Sequence, residues 1–393
     1  MKKLAFVLGI RPDVIRAALI LEELKRCADV DTVFIWSGQH YSDNLKDIFF
    51  RELGVAPAAI DLGCKGETDA EVVASVISRL YPALRDLKPE AVVFLGDTNT
   101  TSGAIAAAQL NIPIAHIEGC MRSYDWRMPE EKYRTIIDHL ADVIYAYFDE
   151  YKEQGVREGL NPDSIVVVGN PIVDILNRFY FSRREKYDAM ATPEFFAQRG
   201  IRRGEYYLMT CHRRENVQAA APLNAILHLI GRAPRRVFFP ASYRTQKQIR
   251  AAGCVLPGHV VMVDPIGYEE MLCLTVHSRG VITDSGTVVE EACVLQIPSI
   301  QMRRSTERPQ VYDAGSSVKF DPAEPERYPA DEVFRKLESL CGKTWVQPLG
   351  DGKSSERIAR DLHRRVVEND FQRHRPEQYR IPVARSYRGD GLP

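Results

Sequence analysis

His116-Ile117-Glu118-Gly119-Cys120-Met121-Arg122 and, after a short turn, Pro129-Glu130-Glu131-Lys132-Tyr133-Arg134 form the stretch from which the fold is read. Residues 113–117 are an apolar run that predicts a buried strand, with Glu118 at its end. Pro129 suits the first position of a helix, and Glu130 and Glu131 its positive first turn. One segment thus sets carboxylates and two arginines, Arg122 and Arg134, at a strand's carboxyl end. In an open α/β sheet that is where ligands sit. Carboxylates there can move protons and arginines can hold anions. The same residues also suit a helix cap with surface ion pairs.

Upstream, a short apolar strand over residues 3–9 feeds Arg11-Pro12 and an amphipathic helix with Ile15, Ala18, Leu19, Leu21 and Leu24 on one face. An arginine at such a helix start suits an anion. Strands follow at 32–36, ending in Ser37-Gly38-Gln39-His40, and at 91–95, ending in Gly96-Asp97-Thr98. A helix over 44–53 and a longer one from Ala70, with Pro82 inside it, lie between them. Asp97 reads either as an N-cap or as a polar active-site group. Further strands are predicted at 142–147 and 164–168.

The alternation fails between about residues 180 and 204, where Phe181-Ser182-Arg183-Arg184-Glu185-Lys186 is polar, and then restarts. Strands at 206–210, 236–239, 260–263 and 280–282 end in polar turns: Cys211-His212-Arg213-Arg214-Glu215-Asn216, Ser242-Tyr243, Asp264-Pro265 and Thr283-Asp284-Ser285-Gly286-Thr287. A helix carrying Glu290 and Glu291 begins at the last of these. Its first N–H groups suit a phosphate, and a carboxylate further along suits a ribose diol. The expected architecture is α/β, with two Rossmann-like parallel-sheet domains facing a central cleft. Residues 1–180 form the first and 181–354 the second; in 355–393 a helix packs back on the first domain, followed by a basic tail used in contacts or mobile.

With 393 residues the chain exceeds one ordinary domain and suits two of about 150–200 residues. Its net charge of −1 gives no reason to expect nucleic acid or a membrane surface as partner. No apolar run approaches the ~20 residues of a membrane span, and Met1-Lys2-Lys3 opens a strand rather than a signal peptide. The eight cysteines form no C-x-x-C pair, so neither a disulfide framework nor a metal site is expected. A cytoplasmic location follows from that reading. Neither G-x-G-x-x-G nor a Walker loop is present.

Taken together, Gly9-Ile10-Arg11-Pro12-Asp13, Gly38-Gln39-His40, Gly96-Asp97-Thr98, His116-Ile117-Glu118, Pro129-Glu130-Glu131, His212-Arg213-Arg214-Glu215-Asn216, Asp284-Ser285-Gly286 and Thr306-Glu307-Arg308-Pro309 resemble the non-hydrolysing UDP-N-acetylglucosamine 2-epimerases. The resemblance runs from the first strand to about Ala314 and implies the GT-B fold, no cofactor and a homodimer. It implies epimerisation at C2 of a UDP-N-acetylhexosamine, by elimination of UDP to a 2-acetamidoglycal and re-addition. Asp97, Glu118 and Glu130 are then the acid/base groups, with His212 beside the leaving diphosphate. Arg11, Ser285 and Gly286 are implied to hold the diphosphate and Glu291 the ribose, with Arg122, Arg134, Arg213 and Thr287 as further substrate contacts.

The chain departs from the family at Arg16, usually lysine, at Gly119-Cys120-Met121, at Ser242-Tyr243 and at Thr287. Several of its motifs look more like relatives acting on modified UDP-HexNAc sugars. Competing readings are the hydrolysing branch, which releases ManNAc and UDP, a GT-B glycosyltransferase, and a UDP-sugar-binding protein without activity.

Overall fold

The structure is a computed structural model that describes residues 1–38 and 50–371. Among the described residues thirteen strands build two all-parallel sheets. The first comprises β1 (Lys2–Leu8), β2 (Val30–Trp36), β3 (Ile60–Asp61), β4 (Ala91–Leu95), β5 (Ile114–Ile117), β6 (Val143–Ala146) and β7 (Ile165–Val167). The second comprises β8 (Tyr206–Thr210), β9 (Arg236–Pro240), β10 (Val260–Val263), β11 (Gly280–Thr283), β12 (Ser299–Met302) and β13 (Ser317–Phe320). Helices cover both faces, so the central strands are largely buried; Ala91-Val92-Val93-Phe94-Leu95 of β4 is buried at every position.

Strand order decides where a ligand can sit. The first sheet runs β3-β2-β1-β4-β5-β6-β7 and the second β10-β9-β8-β11-β12-β13. Each reverses direction once, between β1 and β4 and between β8 and β11. At such a switch point two neighbouring crossovers leave in opposite directions, opening a crevice at the carboxyl ends. Gly9-Ile10-Arg11 and Gly96-Asp97 line the first crevice; Cys211-His212-Arg213 and Asp284-Ser285-Gly286 line the second.

The polar stretch after Tyr180 is a run of short helices, Arg184–Met190 and Pro193–Ala197 among them, with Tyr187 and Phe196 as buried anchors. The helix Asp69–Leu87 opens on a reciprocal cap between Thr68 and Glu71 and continues past Pro82. Strands β12 and β13 and the helix Ala330–Leu340 extend the second domain beyond what periodicity picked out. The helix predicted over 44–53 lies largely outside the described residues, as do His40 and the tail from residue 373. All eight cysteines are free thiols. Among the described residues no helix is long and apolar enough to cross a membrane.

The last helix among the described residues, Ser354–Glu368, returns to the first sheet. Tyr145 at the end of β6 donates to Asp361 at 2.9 Å, and Lys2 Nζ donates to the Val366 and Val367 carbonyls at 2.9 and 3.0 Å. Its start is capped from a distance: the buried Asp174 carboxylate accepts the Ser354 and Ser355 N–H groups at 3.2 and 2.7 Å. Asp174→Ala strands both donors in a dry contact. A loss of about 1–3 kcal/mol is expected, seen as a lower melting temperature in calorimetry. An unchanged transition would mean that the helix start finds other acceptors.

Candidate active site

Glu118 directly follows β5, with φ at +74°. Left-handed backbone at a non-glycine residue costs of order 1–3 kcal/mol and is kept where the surroundings over-determine it. Here its N–H donates to the Tyr145 carbonyl at 3.1 Å, and the side chain enters a dry pocket. The carboxylate accepts the Tyr147 hydroxyl at 3.0 Å and Arg308 Nη2, from the facing domain, at 2.7 Å. It also pairs with Arg16 of the first helix, Arg11–Lys25, where Arg16 in turn holds Asp13 at 3.0 Å. Burial pushes the Asp13 carboxyl up to about 7 against the pull of Arg16, with Asp97 adding repulsion.

Asp97 sits one strand away. The preceding Gly96 has φ +80°, and a Cβ there would meet Asp13 Oδ1 at 3.2 Å and Arg16 Nη2 at 3.3 Å. Glycine is needed at this crossing on both counts. The Gly96 carbonyl faces His116 Nε2 at 2.8 Å, and His116 Nδ1 faces Asp138 at 2.7 Å, so β5 pins the turn that carries Asp97. The Asp97 carboxylate accepts Arg134 Nε at 2.9 Å. The residue at the cap of the next helical turn is Thr98, so capping is not the use of Asp97. Burial disfavours the charge of Asp97, but Arg134, with Arg308 and Arg213, outweighs it and holds the carboxyl below its usual range despite repulsion from Glu307.

The helix Pro129–Leu140 supplies the remaining groups of this wall. Glu131 is committed to structure, accepting from Ser123 N at 3.0 Å, Ser123 Oγ at 2.8 Å and Tyr124 N at 2.9 Å, and pairing with Arg134. Glu130 differs: among the described residues its carboxylate lies in no ion pair. Desolvation raises its pKa, Arg213 opposes the shift, and Asp97 reinforces it.

On the facing wall Asp284, buried at the end of β11, accepts the His212 and Arg213 N–H groups, both at 3.0 Å, and Asn216 Nδ2 at 3.1 Å. Ser285 caps the helix Gly286–Val294, and Thr287 is buried in its first turn. A Cβ at Gly286 would lie 2.4 Å from Arg308 Nη1, so only glycine lets that guanidinium pack on the helix start. The Glu291 carboxyl, which accepts the Tyr268 hydroxyl at 2.8 Å, is pushed up to about 7, chiefly by burial and by neighbouring Glu290. Half of the His212 side chain is open to the cleft, yet desolvation, with Arg213 and Arg11 nearby, lowers its pKa despite Asp284 at 3.3 Å. Arg11 thus lies within electrostatic reach of both His212 and Glu291.

One sequence-predicted substrate contact, Arg122, is placed apart from these groups. It is buried, with Nη1 on Asp138 at 2.7 Å and on the Met121 carbonyl at 2.8 Å, and Nε and Nη2 on Glu158 at 3.0 and 2.6 Å. Its guanidinium is used up in holding Asp138, which orients His116. Conversely, the sequence reading assigned no role to Arg308, Glu307, Arg303 or Tyr147. The signal for the first three was the motif Thr306-Glu307-Arg308-Pro309 itself, with Arg303 directly after β12.

Two parallel-sheet domains with carboxylates on one side of a cleft and an arginine-flanked helix start on the other define a GT-B-fold protein. The chain belongs to the UDP-N-acetylglucosamine 2-epimerase family, whose profile matches residues 22–363. It is 33% identical over 373 residues to the UDP-N-acetylglucosamine 2-epimerase of Methanocaldococcus jannaschii, covering 92% of this chain and 98% of that one. It is 31% identical, over 92% and 99%, to the UDP-2,3-diacetamido-2,3-dideoxy-D-glucuronate 2-epimerase of Pseudomonas aeruginosa. The crystal structure of the M. jannaschii enzyme in complex with UDP-GlcNAc and UDP is similar with a TM-score of 0.82 at 32% identity, covering 92% of this chain and 99% of that one.

Glu291 gives a titration that can be followed without substrate. A buried acid raised from 4.5 to about 7 keeps its proton more readily when folded than when unfolded. Its contribution to stability is therefore present below the unfolded pKa and lost as pH climbs through the folded one. Glu291→Gln removes this loss, so its melting temperature relative to the wild type should rise from about pH 5 to about pH 8. A difference constant across that window would contradict the assigned protonation.

Proposed function

We propose that the protein epimerises a UDP-N-acetylhexosamine at C2, UDP-GlcNAc or a modified analogue, by eliminating UDP and adding it back. The observation that carries this reading is the set of carboxyl groups on one wall, Asp97, Glu118 and Glu130, opposite the Ser285–Gly286 helix start. Arg11, His212, Arg213, Ser285, Gly286 and Thr287 suit the diphosphate and Glu291 the ribose diol. Family membership and the printed activities of the relatives support the same chemistry.

In the first step a carboxylate takes the C2 proton while the C1–O bond to UDP breaks. The C–H electron pair becomes the C1=C2 bond of a 2-acetamidoglycal, and the bond electrons leave with UDP. In the second step UDP oxygen adds to C1 as a carboxyl group delivers a proton to the other face of C2. Two faces need two groups placed apart. Asp97 and Glu118, each held by arginine, suit the ionised state; Glu130, raised and outside any ion pair among the described residues, suits carrying the proton. Arg134 keeps Asp97 oriented and Arg308 does the same for Glu118. Arg16 extends the positive field beneath Glu118, favouring a substrate that builds negative charge at C2. A homodimer is the accompanying expectation from the resemblance, and a cytoplasmic location that of the sequence reading.

Incubation with a panel of UDP-HexNAc sugars, read by proton NMR, should yield a C2 epimer still attached to UDP. Free sugar would favour the hydrolysing branch, and UDP release only with an acceptor would favour a glycosyltransferase. Glu118→Gln keeps shape without a carboxylate's basicity and should lose roughly 10²–10⁴ in rate with UDP binding nearly intact. In Arg11→Ala and His212→Ala the loss of a charged hydrogen bond, about 1.5–3 kcal/mol, should weaken UDP roughly tenfold to a hundredfold in calorimetric titration. Full activity in Glu118→Gln, or unchanged titrations in the other two, would contradict these roles.

A further inference from the structure

We propose that Glu307 is a positioning residue: the internal counter-anion that holds the arginines of both walls and offsets their charge against the bound nucleotide. Its carboxylate is buried between β12 and the helix Gln310–Asp313. It accepts Arg303 Nη1 at 3.1 Å and Nη2 at 2.7 Å, and pairs with Arg308. Arg134, from the other domain, lies at 3.5 Å and Arg213 at 3.6 Å. Its backbone carbonyl accepts the Tyr151 hydroxyl, also from the other domain, at 2.8 Å. Glu307 is thus one group shared by four guanidiniums. Two of these pass the restraint on: Arg134 holds Asp97, and Arg308 holds Glu118 and Glu290.

The charge balance follows from this geometry. Burial opposes the charge of Glu307, but Arg303, Arg308, Arg134 and Arg213 hold its carboxyl well below the usual range. The four guanidiniums thus favour its anionic form. Arg308 packs on the Gly286 helix start, where a diphosphate would sit. With Glu307 present, that arginine and Arg213 meet the nucleotide with part of their charge already compensated. Without it, the same arginines would bind UDP more tightly and clamp Asp97 and Glu118 harder. Tight binding of the leaving group slows the cycle rather than speeding it.

This rests on the proposed epimerase reaction, but its first readout does not. In Glu307→Gln, UDP should bind roughly fivefold or more tighter in calorimetry, because loss of a buried anion strengthens the field at the site. With substrate, KM should fall and kcat should drop roughly tenfold or more, a split marking over-stabilised ground and product states. Glu307→Asp keeps the charge on a shorter arm, so UDP affinity should stay close to that of the wild type while kcat falls. A purely architectural Glu307 would instead weaken UDP and raise KM; either result, or wild-type UDP affinity in a folded Glu307→Gln, overturns the proposal. If Glu307→Gln does not fold, wild-type kcat in Glu307→Asp overturns it. If the wild type epimerises nothing, the reaction fails while the titration still decides the role of Glu307.

Discussion

A single buried carboxylate, Glu118, is held at once by a tyrosine just past β6, an arginine of the first helix and an arginine of the facing domain. Burying a charge is costly unless it is paired and hydrogen-bonded, and Tyr147, Arg16 and Arg308 meet that requirement together. The consequence reaches far. A side chain at residue 286 would collide with the Arg308 guanidinium, and a Cβ at residue 96 would press on Asp13 and Arg16. The Glu118–Arg308 pair is thus one of the ion pairs that join the two domains, beside Arg134–Glu307 and Arg214–Asp69. Replacing one partner by an apolar residue leaves the other charge buried without compensation, which is the expensive outcome.

The electrostatics separate the carboxyl groups into roles. Asp97 and Glu307 lie low because arginines surround them, whereas Asp13 and Glu291 sit near about 7 because burial prevails. Glu131, Asp138 and Asp284 spend their oxygens on backbone N–H groups and arginines, which makes them part of the frame. Glu130 is the carboxyl on this wall left without an ion pair among the described residues. Environment rather than residue type divides these groups into frame and chemistry.

Much of this was legible in the sequence. Apolar runs ending in Gly96-Asp97, Ile117-Glu118 and Thr283-Asp284 mark buried parallel strands and put those carboxylates at their tips. Three features were hidden for physical reasons. Glu118 meets Arg308 across 190 positions of chain, a contact no local pattern encodes. Strand β12, Ser299-Ile300-Gln301-Met302, has a polar residue in a buried interior and so lacks the run that revealed its neighbours. The place of Arg122 was hidden because Glu118, Cys120 and Tyr124 all take positive φ without being glycine. These reversals turn the chain back into the body, toward Asp138 and Glu158, and nothing in the residue types announces them.

Solvent isotope incorporation tests the two-step reaction most directly. In D₂O the accepted UDP-sugar should gain deuterium at C2 of the hexosamine and at no other ring carbon, because the proton removed from one face is replaced from a carboxyl group in exchange with solvent. Mass spectrometry and proton NMR of recovered substrate and epimer read this without ambiguity. Epimer formed with protium retained at C2, or label appearing at C4 with C2 untouched, would contradict proton transfer by Asp97, Glu118 and Glu130.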